Sequence, residues 1–154
     1  MTPEEDACHT LLGEKLGSIR SIRYLSDPEL AGPTTVIGAL EIETKTGRYV
    51  HIAPASGEVC TIGTGPVPAP SEMIDETRGA VTRRWTDLTP RLPFAFDGRP
   101  VVATAAPVHD GGRTCGCAIG FSNGARFEYA VGNGAPRLLL GAGAPRLLLG
   151  EAAR

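Results

Sequence analysis

No apolar run in the sequence approaches the ~20 residues that a helix needs to cross a bilayer, and the N-terminus has no basic stretch followed by an apolar one of the kind that marks export. A cytoplasmic protein without a membrane partner is expected. Charge of one sign is also missing, because the formal net charge is -2 and the pI is near 5.9. General binding to nucleic acid would bring a basic excess, so no nucleic-acid partner is expected either. Lysine is scarce, with 2 residues against 13 arginines, a bias that often accompanies a high-GC bacterial genome. The one basic pair, Arg83-Arg84, reads as a solvated face. Cysteine numbers only 4 in 154 residues, which without an export signal points to free thiols rather than a disulfide framework.

The phosphate-loop and zinc-protease motifs are absent too. There is no GKS or GKT and no HExxH. Gly132-Asn133-Gly134-Ala135-Pro136-Arg137 begins like a dinucleotide fingerprint, but Arg137 stands where the third glycine belongs, and a hairpin turn is its expected use. Cys115-x-Cys117 would place two thiols on one strand face, within the chemistry of a zinc shared with His109 or Cys60. The internal alignment below puts both at apolar positions, so buried thiols, with no metal and no cofactor, are expected. Cys8 and His9 are neighbours on a helix and do not point the same way.

What is present is a hairpin that recurs. Over residues 36–62, Gly38, Leu40, Ile42 and Thr44 alternate with Ala39, Glu41 and Glu43, then Val50 and Ile52 alternate with Tyr49 and His51. This is the period-2 pattern of half-buried strands, and Lys45-Thr46-Gly47 supplies the turn. A shift of 77 aligns it with residues 115–140, without a gap as far as Gly57 on Gly134, with Gly47 on Gly124, Leu40 on Cys117, Ile42 on Ile119, Val50 on Phe127 and Ile52 on Tyr129. Leu12-Gly13-Glu14-Lys15 likewise resembles Asp97-Gly98-Arg99-Pro100. The expected fold is α+β: antiparallel sheets built from two similar β-hairpin halves, an internal duplication, with a short helix before each half. A single domain over 1–154 is expected, its halves spanning about 12–63 and 97–141, joined by a Pro/Gly linker at 63–70 and a helical segment over about 71–88.

Thr2-Pro3-Glu4-Glu5 has the threonine cap, the proline at the first helical position and the acidic residue of a helix start, with Ala7, Cys8, Leu11 and Leu12 at helical spacing before Gly13. Residues 18–25 and 100–108 read as strands, and His109-Asp110-Gly111-Gly112 as a tight connection. Val81, Trp85 and Leu88 keep helical spacing, with Gly79 an alternative point at which the segment divides into helix and strand, and Trp85 is expected in the core. The C-terminus repeats itself: GAPRLLLGA at 134–142 is followed at once by GAPRLLLGE at 143–151. The first copy is expected to close the second half, with Leu138–Leu140 in the core. The second, in the tail 143–154, is expected at the periphery.

Candidate site residues lie on the polar face of the first hairpin, Glu41, Glu43, Tyr49 and His51, with Arg126 and Glu128 at the matching places of the second. A small acidic protein of paired hairpins and short helices is similar in general type to immunity proteins of interbacterial toxin systems. What that likeness implies is a non-enzymatic binding or inhibitory module whose partner is another protein. The competing reading is a small-molecule enzyme of β-cup type, an isomerase or cyclase, with His51 or Tyr49 as acid or base. A third is a structural or oligomerising subunit, a homodimer formed through an exposed strand edge or the C-terminal tail.

Overall fold

The computed structural model describes residues 2–26, 38–55, 59–68, 74–75, 79–92, 98, 100–132, 135–141 and 146–150. The chain begins with α1 (Pro3–His9), and its start follows the expected chemistry. The Thr2 hydroxyl accepts the Glu5 N–H at 3.2 Å, Pro3 occupies the first turn, and Glu4, Glu5 and Asp6 meet the positive end of the helix dipole. Seven residues are too few for a helix to persist alone. Burial of Ala7, Cys8 and Leu11 holds it in place.

Among the described residues eleven strands follow: β1 (Leu16–Ser26), β2 (Ala39–Thr44), β3 (Tyr49–Pro54), β4 (Cys60–Thr64), β5 (Ile74–Asp75), β6 (Gly79–Asp87), β7 (Val102–Asp110), β8 (Arg113–Phe121), β9 (Arg126–Gly132), β10 (Ala135–Gly141) and β11 (Arg146–Gly150). They form two antiparallel sheets, one in the order β4-β3-β2-β1-β6-β5 and the other in the order β11-β10-β9-β8-β7. The fold is therefore α+β with antiparallel sheets. One continuous core joins them: Ile19, Leu40, Ile42, Val50 and Ile52 from the six-stranded sheet meet Cys117, Ile119, Phe127, Tyr129 and Val131 from the five-stranded sheet, with Ala7 and Cys8 of α1 and Leu11 just after it in the same cluster. The apolar phase expected for both hairpins is the one observed. The hydroxyl of the fully buried Tyr129 donates to the Gly38 carbonyl at 3.0 Å, so the phenol is satisfied by the opposite sheet.

The two three-stranded meanders, β2-β3-β4 and β8-β9-β10, share local construction. Leu40 pairs with Ile52 and Ile42 with Val50, and at the same offset Cys117 pairs with Tyr129 and Ile119 with Phe127. Both turns use a left-handed glycine, Gly47 at φ 86° and Gly124 at φ 84°. Lys45 N–H donates to the Lys15 carbonyl at 2.8 Å, as Ser122 N–H does to Val101 at 2.9 Å. Lys15 and Val101 are themselves bridged antiparallel, where the starts of β1 and β7 cross.

Several expectations are corrected. The segment 71–88 is not helical where it is described: β5 and β6 are strands, and β6 pairs with β1 from Arg20↔Asp87 to Ser26↔Val81. Val81, Thr82, Trp85 and Thr86 favour extended backbone, and the open edge of β1 supplies the hydrogen bonds that a helix would have made internally. Among the described residues α1 is the only α-helix and none precedes the second meander, where a 3-10 turn stands at Thr89–Arg91. The start of that expected segment, at Ser71, lies outside the described residues. Gly63 and Thr64, assigned to the linker, belong to β4, and His109 and Asp110 belong to β7, leaving Gly111 and Gly112 as the turn.

The first copy of the C-terminal repeat forms β10 beside β9, and the second forms β11 at the sheet edge. Leu138 and Leu140 stand across from Tyr129 and Phe127, whereas Leu139 stands across from Glu128. The side chains of Leu138–Leu140 and Leu147–Leu149 lie outside the described residues.

Candidate functional site

Alternate residues of the central strands point away from the core and form a polar face on the six-stranded sheet. Register sets its rows. Arg20 of β1 pairs with Glu41 of β2, which pairs with His51 of β3; one step along, Ser18 pairs with Glu43 and Glu43 with Tyr49. On the other side of β1, Ile22 pairs with Trp85 and Arg20 with Asp87. Four of the expected site residues, Glu41, Glu43, Tyr49 and His51, are thus brought together.

Their environments differ from a solvated face. Glu41 is 1% exposed, and both carboxylate oxygens are engaged: one with the Arg20 guanidinium, the other accepting the Val67 N–H at 2.9 Å. It holds the segment after β4 down on the sheet. Arg20 in turn lies 5.4 Å from the centre of the Trp85 ring, a cation–π contact. Trp85 is 54% exposed, which corrects the expectation of a core tryptophan. That expectation rested on helical spacing, and in β6 the residue falls instead across from Ile22, on the Arg20 side of β1.

Glu43 is half-buried and gathers two hydroxyls, Tyr49 Oη at 2.7 Å and Ser18 Oγ at 3.4 Å. The bond to Glu43 raises the Tyr49 phenol above its ordinary value, since ionisation would set two anions side by side. His51 Nδ1 lies 3.1 Å from the Gly65 carbonyl, which can only accept, so Nδ1 carries the proton in that bond. The imidazole covers Gly63, where a Cβ would fall 2.7 Å from Cε1.

Arg126 and Glu128 do not join this group. They occupy the equivalent positions of β9, paired with Gly120 and Ala118 on the outer side of the other sheet. The candidate residues therefore lie on two faces separated by the core. Arg20 and Trp85 were missed: SIRSIR repeats every three residues, so a period-2 reading cannot assign its faces, and Trp85 was read at the wrong period.

Cysteine placement also needs correction. Cys117 is fully buried, but its sulfur meets another thiol, Cys8 Sγ, at 3.7 Å. Cys115 is half-buried and its thiol donates to the Val108 carbonyl at 3.4 Å. Among the described residues no three His, Cys, Asp or Glu side chains converge to hold a metal ion, and no helix is long and apolar enough to cross a membrane. The chain matches no protein-family model, and neither curated proteins nor solved structures show a similar one.

Proposed function

We propose that this protein is a non-enzymatic binding or inhibitory module, of the immunity-protein type, that engages another protein through the outer face of its six-stranded sheet. Trp85 carries the proposal. Tryptophan, tyrosine and arginine dominate the energetics of protein interfaces, and here an exposed tryptophan is braced by Arg20, which the buried Glu41 holds in turn, with Tyr49 three strands over on the same face. An anchor already held in place loses little conformational freedom on binding. The enzyme reading has less support, because Tyr49 Oη is committed to Glu43 and His51 Nδ1 to Gly65. The reading places the protein in a bacterial cytoplasm, where structural disulfides are rare, in keeping with its free cysteines.

We also infer that the two meanders descend from one duplicated unit. Matching hairpin register, matching glycine turns and the bridge between the equivalent residues Lys15 and Val101 support this. Affinity capture from the native host with wild type and Trp85→Ala tests the function. A stoichiometric protein held by wild type and lost by a folded Trp85→Ala is expected. Recovery of a bound metabolite with no protein partner would overturn the module.

A further inference from the structure

We propose that Cys8 and Cys117 form a modification site, a dithiol that a small-molecule disulfide such as oxidised glutathione converts into an internal disulfide tying α1 to β8. The two sulfurs are 3.7 Å apart, in van der Waals contact, although their residues are 109 apart in sequence. Both residues are 0% exposed. Buried thiols are ordinarily inert, but one of these sits on a helix of seven residues that makes its own lid. Among the described residues only Ala7, Cys8 and Leu11 bury that segment, so a local opening of α1 releases Cys8 and uncovers Cys117 in the same event.

The other two cysteines are placed differently. Cys60 is buried, and burial pushes its thiol up to about 12, which leaves little thiolate. Cys115 donates to a backbone carbonyl. Within the pair, the hydrogen bond from Cys117 lowers Cys8 below an ordinary thiol in spite of burial, while the same bond and burial raise Cys117. Cys8 moves out with α1 when the helix opens and is therefore the thiol that, once ionised, attacks. It displaces one glutathione thiolate from the small disulfide and forms a mixed disulfide. As α1 settles back, Cys117 loses its proton, attacks the Cys8 sulfur and expels the second glutathione. The protein gives up two electrons and two protons, and one oxidised glutathione becomes two reduced ones.

The test uses the full-length folded protein, first reduced, then held in oxidised glutathione, quenched in acid and mapped by mass spectrometry without reductant. Joined Cys8 and Cys117 peptides, a mass lower by two hydrogens, a higher melting temperature and slower proteolysis at the N-terminus are expected. Cys8→Ser abolishes the link, and the double variant Cys60→Ser/Cys115→Ser keeps it. Native wild-type protein that links Cys60 or Cys115, that stops at a stable glutathione adduct, or that stays fully reduced would overturn the proposal.

Discussion

Arg20 and Glu41 face each other across β1 and β2 as an ion pair in which the carboxylate is 1% exposed and the arginine side chain 29% exposed. Removing one partner of such a pair strands a buried charge, at a cost of about 3–5 kcal/mol. Arg20→Met should therefore lower the urea midpoint sharply. Arg20→Met with Glu41→Leu should recover much of the loss, since no charge is then left buried. A double variant as unstable as the single one would show that Glu41 matters through the Val67 contact instead.

The faces of the first hairpin make opposite predictions. Ile42 is fully buried, so Ile42→Asp should cost more than about 4 kcal/mol by setting an unpaired carboxylate in the core. Glu43→Ala removes a half-buried acceptor of two hydroxyls and should cost about 1 kcal/mol. Equal losses in denaturant melts would mean that the strand phase is misassigned.

Two tyrosines should resist ionisation for separate reasons. The bond to Glu43 raises Tyr49, and burial raises Tyr129. Both are acids whose folded pKa lies above the unfolded value, near 10, so each contributes stability below that value and loses it as pH rises through the folded one. Phenolate absorbance should thus rise late in the native protein. Glu43→Gln should move the Tyr49 midpoint down and leave Tyr129 where it was.

At the C-terminus, β10 and β11 carry the same RLLLG sequence and pair with each other antiparallel, Leu138 with Leu149 and Arg137 with Gly150. Truncation after Ala142 should leave a folded domain with a similar melting temperature, because β10 keeps β9. It should also leave an edge of identical sequence, so any self-association seen by light scattering should persist in the truncated chain. Within β10, Leu138→Asp should unfold the protein and Leu139→Asp should not, since Leu138 stands across from Tyr129 of the core and Leu139 across from Glu128.

Much of the fold was legible because it is written locally. Alternation at Leu40, Ile42, Val50 and Ile52, and again at Cys117, Ile119, Phe127 and Tyr129, assigns the core face of each hairpin, and Gly47 and Gly124 mark the turns. Thr2 and Pro3 announce α1 in the same way. The grouping of Glu41, Glu43, Tyr49 and His51 followed from that alternation alone.

What only the tertiary structure decided depends on partners distant in sequence. Residues 79–87 carry a spacing that fits a helix and a composition that fits a strand; the free edge of β1 settled the choice and turned Trp85 outward. Glu41 has no local mark of burial, which Arg20 from one strand and Val67 from the chain after β4 impose together. Cys8 and Cys117 meet because α1 packs into a core shared by both sheets. Periodicity reports which way a side chain faces along its own element, whereas the neighbour it meets depends on how elements are laid against each other. That arrangement follows from burial of apolar surface and pairing of backbone edges across the whole chain.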